Sequence, residues 1–276
     1  CYAAAASFLS DISRNEEMEF KGFKTGKDES GIIIEMVMPS ILEETFFAKL
    51  YARGPLGDAA EGDPAAVWSS LGQTYHGRPL VAPHQVHGVR IIEASEEEVL
   101  PQRTEADGVF ISAGSRPLAS LRFADCTPVV IAGAAGSPWM AILHSGFRGT
   151  LQNIAANAVR LALARRPSQR PEEMWAWIGP AIGRECYSRR REDPTTALAL
   201  KNFSAENISE SGCCFNFDIK GQIVSQLLET GLIYDRIYMY DRCTCCHNDY
   251  FYSYRAGDEK KRIFLLAGEA KNRNLT

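Results

Sequence analysis

Two side chains able to make and break bonds stand at the ends of neighbouring apolar runs. Cys126 lies just before the run 129–132, and His144 follows the run 139–143. Runs of that length and apolarity are expected to be buried strands, which puts a thiol and an imidazole at strand ends. After His144, the small residues Ser145 and Gly146 lead through Arg148 and Gly149 into a helical pattern. A strand, tight turn and helix start of this kind presents backbone N–H groups to an anion. A third candidate, His87, adjoins another strand-like stretch, and the chain has only five histidines.

His87, Cys126 and His144 offer the imidazole and thiolate donors that a borderline-soft metal such as zinc takes. Three protein ligands leave one position for water or substrate. The same residues also fit a Cys–His nucleophile, with Cys126 as a thiolate beside His144 and Asp125 orienting the ring or acting as an acid or base. A buried small hydrophobe at Cys126 and hydrogen-bonded structural histidines are the plainer alternatives. Spacing alone does not choose among them. His84 and His87 are three apart, so on a strand they point to opposite faces and at most one enters a given site.

Arg148, between the turn and the helix, is placed to hold a phosphate or to lie on the surface. Arg255, in Y-S-Y-R, either packs on its aromatic neighbours or reaches the site. The cluster Arg189 to Arg191, followed at once by Glu192 and Asp193, reads as a solvated turn. Cys243-x-x-Cys246-His247 has the form of a c-type haem attachment sequence, but it occurs once. A zinc knuckle on Cys243 and Cys246 needs a second pair, which the adjacent Cys213 and Cys214 fit poorly. Loop cysteines without a catalytic role remain the simpler reading.

The elements that must position these groups alternate irregularly. Strands are expected at 31–38, 45–51, 80–83, 89–92, 107–112, 118–123, 129–132, 139–143, 174–178, 233–240 and 262–266. Asp63 and Pro64 supply an N-cap and first-turn proline for a helix ending at Gly72. Further helices are expected at 150–166, 193–201 and 218–229, the last capped by Asp218. Residues 53–58 read as a loop. The mixture predicts an α+β fold in a single domain. No G-x-G-x-x-G or P-loop lysine motif is present, so dinucleotide and Walker-type nucleotide binding lack support.

The 276 residues carry a formal net charge of −4, which gives no footing for nucleic acid. No stretch reaches the roughly 18 apolar residues of a membrane span. The chain opens on Cys1 without Met, and the expectation from that start is that residues ahead of it were trimmed or removed; a mature lipoprotein, which also starts with Cys, is the alternative. Eight cysteines in a chain of this length are expected to stay reduced, in the cytoplasm.

Six motifs occur in one order: Q-V-H-G at 85–88, A-D-G at 106–108, A-D-C-T-P at 124–128, H-S-G-F-R-G at 144–149, W-I-G-P-A-I-G at 177–183 followed by Cys186-Tyr187, and F-Y-S-Y-R at 251–255. Together they resemble the laccase-domain family, long labelled polyphenol oxidase and understood as zinc-dependent purine nucleoside phosphorylases. The resemblance covers roughly residues 30 to 267. It implies mixed β-sheets packed between helices in four layers, over a domain at 31–276 preceded by an N-terminal extension at 1–30. It implies His87, Cys126 and His144 as metal ligands, zinc as cofactor with copper the second choice, and Cys126 and Asp125 as catalytic groups. Arg148, Arg53 and Arg255 are the implied phosphate or substrate contacts. The implied reactions are phosphorolysis of adenosine, inosine, guanosine and methylthioadenosine, with adenosine deamination at the same site; the implied partners are nucleosides and phosphate, not nucleic acid or membrane. Ser145 and Phe147 replace the family's usual Ala and Trp, a change expected to alter how a base or sugar packs. The usual N-terminal T-R-x-G-G and N-L-G stretches are barely visible, with Arg53-Gly54 the nearest match. The C-T-C-C-H stretch is richer in cysteine than the family's C-T loop.

Overall fold

A computed structural model describes residues 19–270. Two large sheets carry the fold. The first has seven strands, in the order Glu19–Phe20, Phe23–Asp28, Gly31–Met36, Phe46–Tyr51, Ile263–Glu269, Leu118–Phe123 and Leu80–Val81. The second has six, in the order Ile237–Met239, Trp175–Ile178, Thr127–Gly133, Trp139–Ser145, Gly108–Ser112 and Ile91–Glu93. Both mix parallel with antiparallel pairing.

Strand periodicity explains the layering. Along Thr127–Gly133, Val130 and Ala132 face the first sheet, while Val129 and Ile131 face a helical layer formed by Ile154–Arg165 and Ile219–Glu229. Along Ile263–Glu269, Ile263, Leu265 and Ala267 join the core between the sheets, and Phe264 and Leu266 pack outward on Val67 and Leu71 of the helix Pro64–Leu71. The result is helix, sheet, sheet, helix: the expected four layers. Because both faces of the inner strands are covered, they read as unbroken apolar runs. Each fully buried Val, Leu or Ile there contributes about 1.5–3 kcal/mol.

Two caps act as the sequence indicates, the carboxylates of Asp63 and Asp218 accepting from Ala65 N and Gly221 N, and Asp193 caps its helix in the same way through Thr195 N. Other details differ. The helix expected at 150–166 is two, Phe147–Leu151 and Ile154–Arg165, broken where Asn153 takes φ 63°. The expected loop at 53–58 instead runs into a helix, Pro55–Ala60. A third sheet of Ser188–Arg190, Cys214–Phe217 and Ile208–Ser211 was not anticipated. It corrects the reading of Arg189 as part of a solvated turn: the guanidinium stacks over Phe147, 4.4 Å from the ring centroid. Within the span assigned to an N-terminal extension, Phe23–Asp28 pairs onto Gly31–Met36, and Glu19–Phe20 pairs onto the start of Phe23–Asp28. Cys1 and the rest of that span, through residue 18, lie outside the described residues. No helix among the described residues is long and apolar enough to cross a membrane.

Candidate metal centre and cationic cleft

The chain passes from the first sheet to the second through three residues. Leu118–Phe123 ends, Ala124, Asp125 and Cys126 cross over, and Thr127–Gly133 begins. Asp125 makes the crossing with φ 79°, a left-handed value that Asp tolerates better than most residues. Its conformation is held at three points. Its carbonyl accepts from Ile182 N (3.0 Å), one carboxylate oxygen accepts from Thr244 Oγ1 (2.7 Å), and the other accepts from Arg255 N (2.7 Å).

Register then brings the reactive groups together. Thr127–Gly133 pairs antiparallel with Trp139–Ser145, with Ser145 opposite Thr127 and His144 opposite Pro128. One step further sets Cys126 beside Gly146, so that Cys126 and His144 become diagonal neighbours on one face. That face is the inner one, at the end of the core between the sheets, where Phe123 lies 5.4 Å from the His144 ring. A Cβ on Gly146 would sit 2.7 Å from Cys126 Sγ and 3.2 Å from His87 Cδ2, closer than either tolerates. Gly146→Ala is therefore expected to displace the thiol and weaken metal binding at the three residues at least about tenfold. Far-UV circular dichroism should stay unchanged, because Gly146 has φ −79° and ψ 179°, open to any residue. A zinc competition titration checks it.

His87 comes from a turn, not from a strand. His84 forms an isolated bridge with Glu105, and His87 has φ 60°. The odd-spacing argument for opposite faces therefore fails, and both histidines line the same cleft. What fixes this turn is Asp107, a fully buried residue that the sequence reading quoted in A-D-G but gave no role. Its carboxylate accepts from Val86 N (3.2 Å), His87 N (2.9 Å) and Gly88 N (2.6 Å), and bonds His144 Nδ1 (2.8 Å). One side chain thus positions both imidazoles and leaves Nε2 of His144 for a ligand. Such carboxylate–histidine pairing supports metal ligands widely.

The ligand atoms of His87, Cys126 and His144 lie within 4.8 Å of one another, and the two rings are 4.9 Å apart. Burial lowers the His144 pKa, which keeps the ring neutral and able to donate a lone pair. Burial, reinforced by Asp125 and Asp107, pushes the Cys126 thiol up to about 12. Without a cation it stays protonated, so the free-thiolate nucleophile is disfavoured. Two imidazoles and a thiol that ionises only against positive charge suit a thiophilic metal.

The trio opens into a cleft of about 660 Å³. Arg103, Arg122, Arg255, Lys260 and Arg262 line it, with Asp125 and Tyr187. Among the described residues Arg103, Arg122 and Arg262 form no ion pair; their guanidiniums donate to backbone carbonyls, and Arg122 also donates to the Gln85 amide oxygen. Burial, then the neighbouring Arg103 and Arg262, lowers the Arg122 pKa to about 10, still cationic at neutral pH. Arg148 lines a second, smaller cavity that shares His87, Asp125, Cys126 and Tyr187. Arg53 is elsewhere engaged: it pairs with Asp258 (2.5 Å), donates to Phe251 O and stacks on Tyr252. It braces the 251–258 loop and does not line either cavity. Phe147 is nearly buried among Tyr187, Phe203 and Phe217, so its ring supports the wall.

The chain is 30% identical over 208 residues to a purine nucleoside phosphorylase of Xylella fastidiosa, covering 69% of this chain and 73% of that one. It is 28% identical over 171 residues to purine nucleoside phosphorylase YfiH of Shigella flexneri, covering 62% of this chain and 66% of that one, just under two thirds of its length. The crystal structure of YlmD from Geobacillus stearothermophilus shares the fold, with a TM-score of 0.71 at 24% identity over 87% of this chain and 96% of that one. Residues 47–265 match the family model described as multi-copper polyphenol oxidoreductase laccase, and the chain belongs to that family.

Proposed function

We propose that this cleft performs phosphorolysis of purine nucleosides, yielding free base and ribose 1-phosphate, with adenosine deamination at the same site. One observation carries the reading: a His-Cys-His donor set and three guanidiniums, Arg103, Arg122 and Arg262, line one cleft. The named activity of the Xylella and Shigella relatives supports it.

His87, Cys126 and His144 would hold a zinc ion, which supplies Lewis-acid activation of water or of a purine heteroatom. The remaining chemistry belongs to the chain. Arg122 and Arg262, with Arg103 behind them, neutralise and orient phosphate so that one of its oxygens faces ribose C1′. As the new C1′–O bond forms, the C1′–N9 bond breaks and its electron pair leaves with the purine. Asp125, whose oxygens already accept from Thr244 and Arg255, projects into the cleft as an acceptor for the base or ribose. Tyr187 and Arg255 complete the wall. Adenosine, inosine, guanosine and methylthioadenosine are the proposed substrates, acted on in the cytoplasm.

Arg262→Gln is expected to raise KM for phosphate about 10- to 100-fold, the value of one charge-assisted hydrogen bond. KM for inosine should change little. Initial rates at varied phosphate and fixed inosine test this; an unchanged phosphate KM removes Arg262 from the anion site.

The family description favours a second reading, copper-dependent oxidation of phenols. A multicopper oxidase uses about ten histidine ligands, and this chain has five histidines. A single copper at the same three residues remains chemically reasonable. Oxygen uptake with phenols after copper loading, against a metal-stripped control, decides it.

A further inference from the structure

The three-cysteine cluster Cys186, Cys243 and Cys246 lies outside the site described above. Its Sγ atoms fall within 4.8 Å of one another, with Cys186 and Cys246 3.3 Å apart. Sequence supplied only half of this arrangement. Cys243 and Cys246 form a C-x-x-C pair that lacked a partner, and the fold provides one from 57 residues away, on the turn Arg184–Cys186.

The local backbone is built around one sulfur. Cys243 Sγ accepts from Gly183 N (3.1 Å) and lies 3.5 Å from Cys246 N. The two segments are also stitched together, with a bridge between Ala181 and Cys243 and Thr244 N donating to Ala181 O. Backbone N–H groups aimed at a cysteine sulfur stabilise charge on it. In a tetrahedral zinc site with Zn–S near 2.3 Å, sulfurs sit about 3.8 Å apart. The 3.3 Å pair and the 4.8 Å limit on the trio lie within about 1 Å of that value, so small side-chain rotations place all three sulfurs around one ion.

We propose that Cys186, Cys243 and Cys246 form a second metal site, for a thiophilic cation such as Zn2+, distinct from the His87, Cys126 and His144 centre. On binding, each thiol gives its proton to solvent as an S–metal bond forms, and no oxidation state changes. Cys246 is exposed, so the fourth position faces solvent.

The site would act as a clamp on the cleft wall. Thr244, inside the C-x-x-C turn, holds Asp125 (2.7 Å), and the carbonyl of Cys186 accepts from Arg255 (2.8 Å). A metal joining the two segments fixes both contacts at once, and with them Tyr187. The site needs no assumption about the reaction in the cleft.

The test uses the full chain carrying Cys126→Ala, which removes the only thiolate of the first centre, with Co2+ as a spectroscopic substitute for Zn2+. The expected result is a sulfur-to-cobalt charge-transfer band in the near ultraviolet at about one equivalent, lost when Cys186→Ser and Cys246→Ser are added. In the otherwise unaltered chain, Cys186→Ser with Cys246→Ser should lower bound zinc from about two equivalents to about one. The rise in Tm with added zinc should shrink in step. These two serines lie on partly exposed turns, so the second measurement holds even if Cys126→Ala fails to fold. No charge-transfer band in a folded Cys126→Ala chain, a band that survives both serines, or unchanged zinc content would each overturn the proposal. So would a Cys186–Cys246 disulfide, seen by mass spectrometry in protein purified with zinc present.

Discussion

Cys126→Ala is expected to take phosphate-dependent base release from inosine or adenosine to background, a loss on the order of 1,000-fold or more. The side chain is the only anionic donor among the three ligands, and its thiol is held near 12 unless a cation ionises it. Alanine leaves two imidazoles, and that of His144 is oriented by its bond to Asp107. His144→Ala should fail to the same extent, and the double variant should be no worse than either single one, since all three ligands act as a unit. Metal content is measured beside activity. An alanine variant that kept its zinc and lost turnover would return Cys126 to the role of nucleophile.

Asp107→Asn is the second large effect. The carboxylate accepts from three backbone N–H groups and His144. An amide has one acceptor oxygen, and its NH2 group would meet N–H donors head on. Zinc affinity should fall about 10- to 100-fold, and stability by about 2–4 kcal/mol as buried donors lose their partner. Urea unfolding and a zinc competition titration read the two losses separately. The same groups make the metal-free protein sensitive to acid. Burial works to raise the Asp107 pKa, but hydrogen bonds from His144, Gly88 N and Val86 N prevail and lower it. Its contribution is therefore complete above the ordinary value of 3.8 and disappears as pH falls through the depressed one. For His144, the unfolded ring takes up a proton near 6.5 while the buried ring does so only at lower pH, so stability starts to decline below about 6.5. Zinc should flatten that decline by competing for the same lone pair.

The inner strands were legible because burial on both faces leaves a continuous apolar signature, as at Val129 through Ala132. Cys126 and His144 were legible for the same reason, standing where those signatures end. Other features have no local trace. Arg103, Arg122 and Arg262 converge from three separate segments, and nothing in their spacing announces a shared cleft. Asp107 looks like any turn aspartate until the loop carrying His87 folds over it. In the third sheet two strands, Ser188–Arg190 and Ile208–Ser211, are short and mostly polar, and Cys214–Phe217 is only four residues long, too short for its alternation to stand out. Arg53 misled because a guanidinium beside glycine reads equally well as an anion contact or a brace, and only the fold supplies Asp258. The break at Asn153 is a backbone choice, φ 63°, inside a sequence whose helical pattern continues unbroken.

The most direct test of the central claim is to incubate the zinc-loaded protein with inosine, adenosine, guanosine or methylthioadenosine, with and without phosphate, and to quantify base and ribose 1-phosphate. The account predicts release of the two products in equal amounts from at least one nucleoside, dependent on phosphate and absent in Cys126→Ala. Zinc bound at the site with no phosphate-dependent release from any of the four would contradict it.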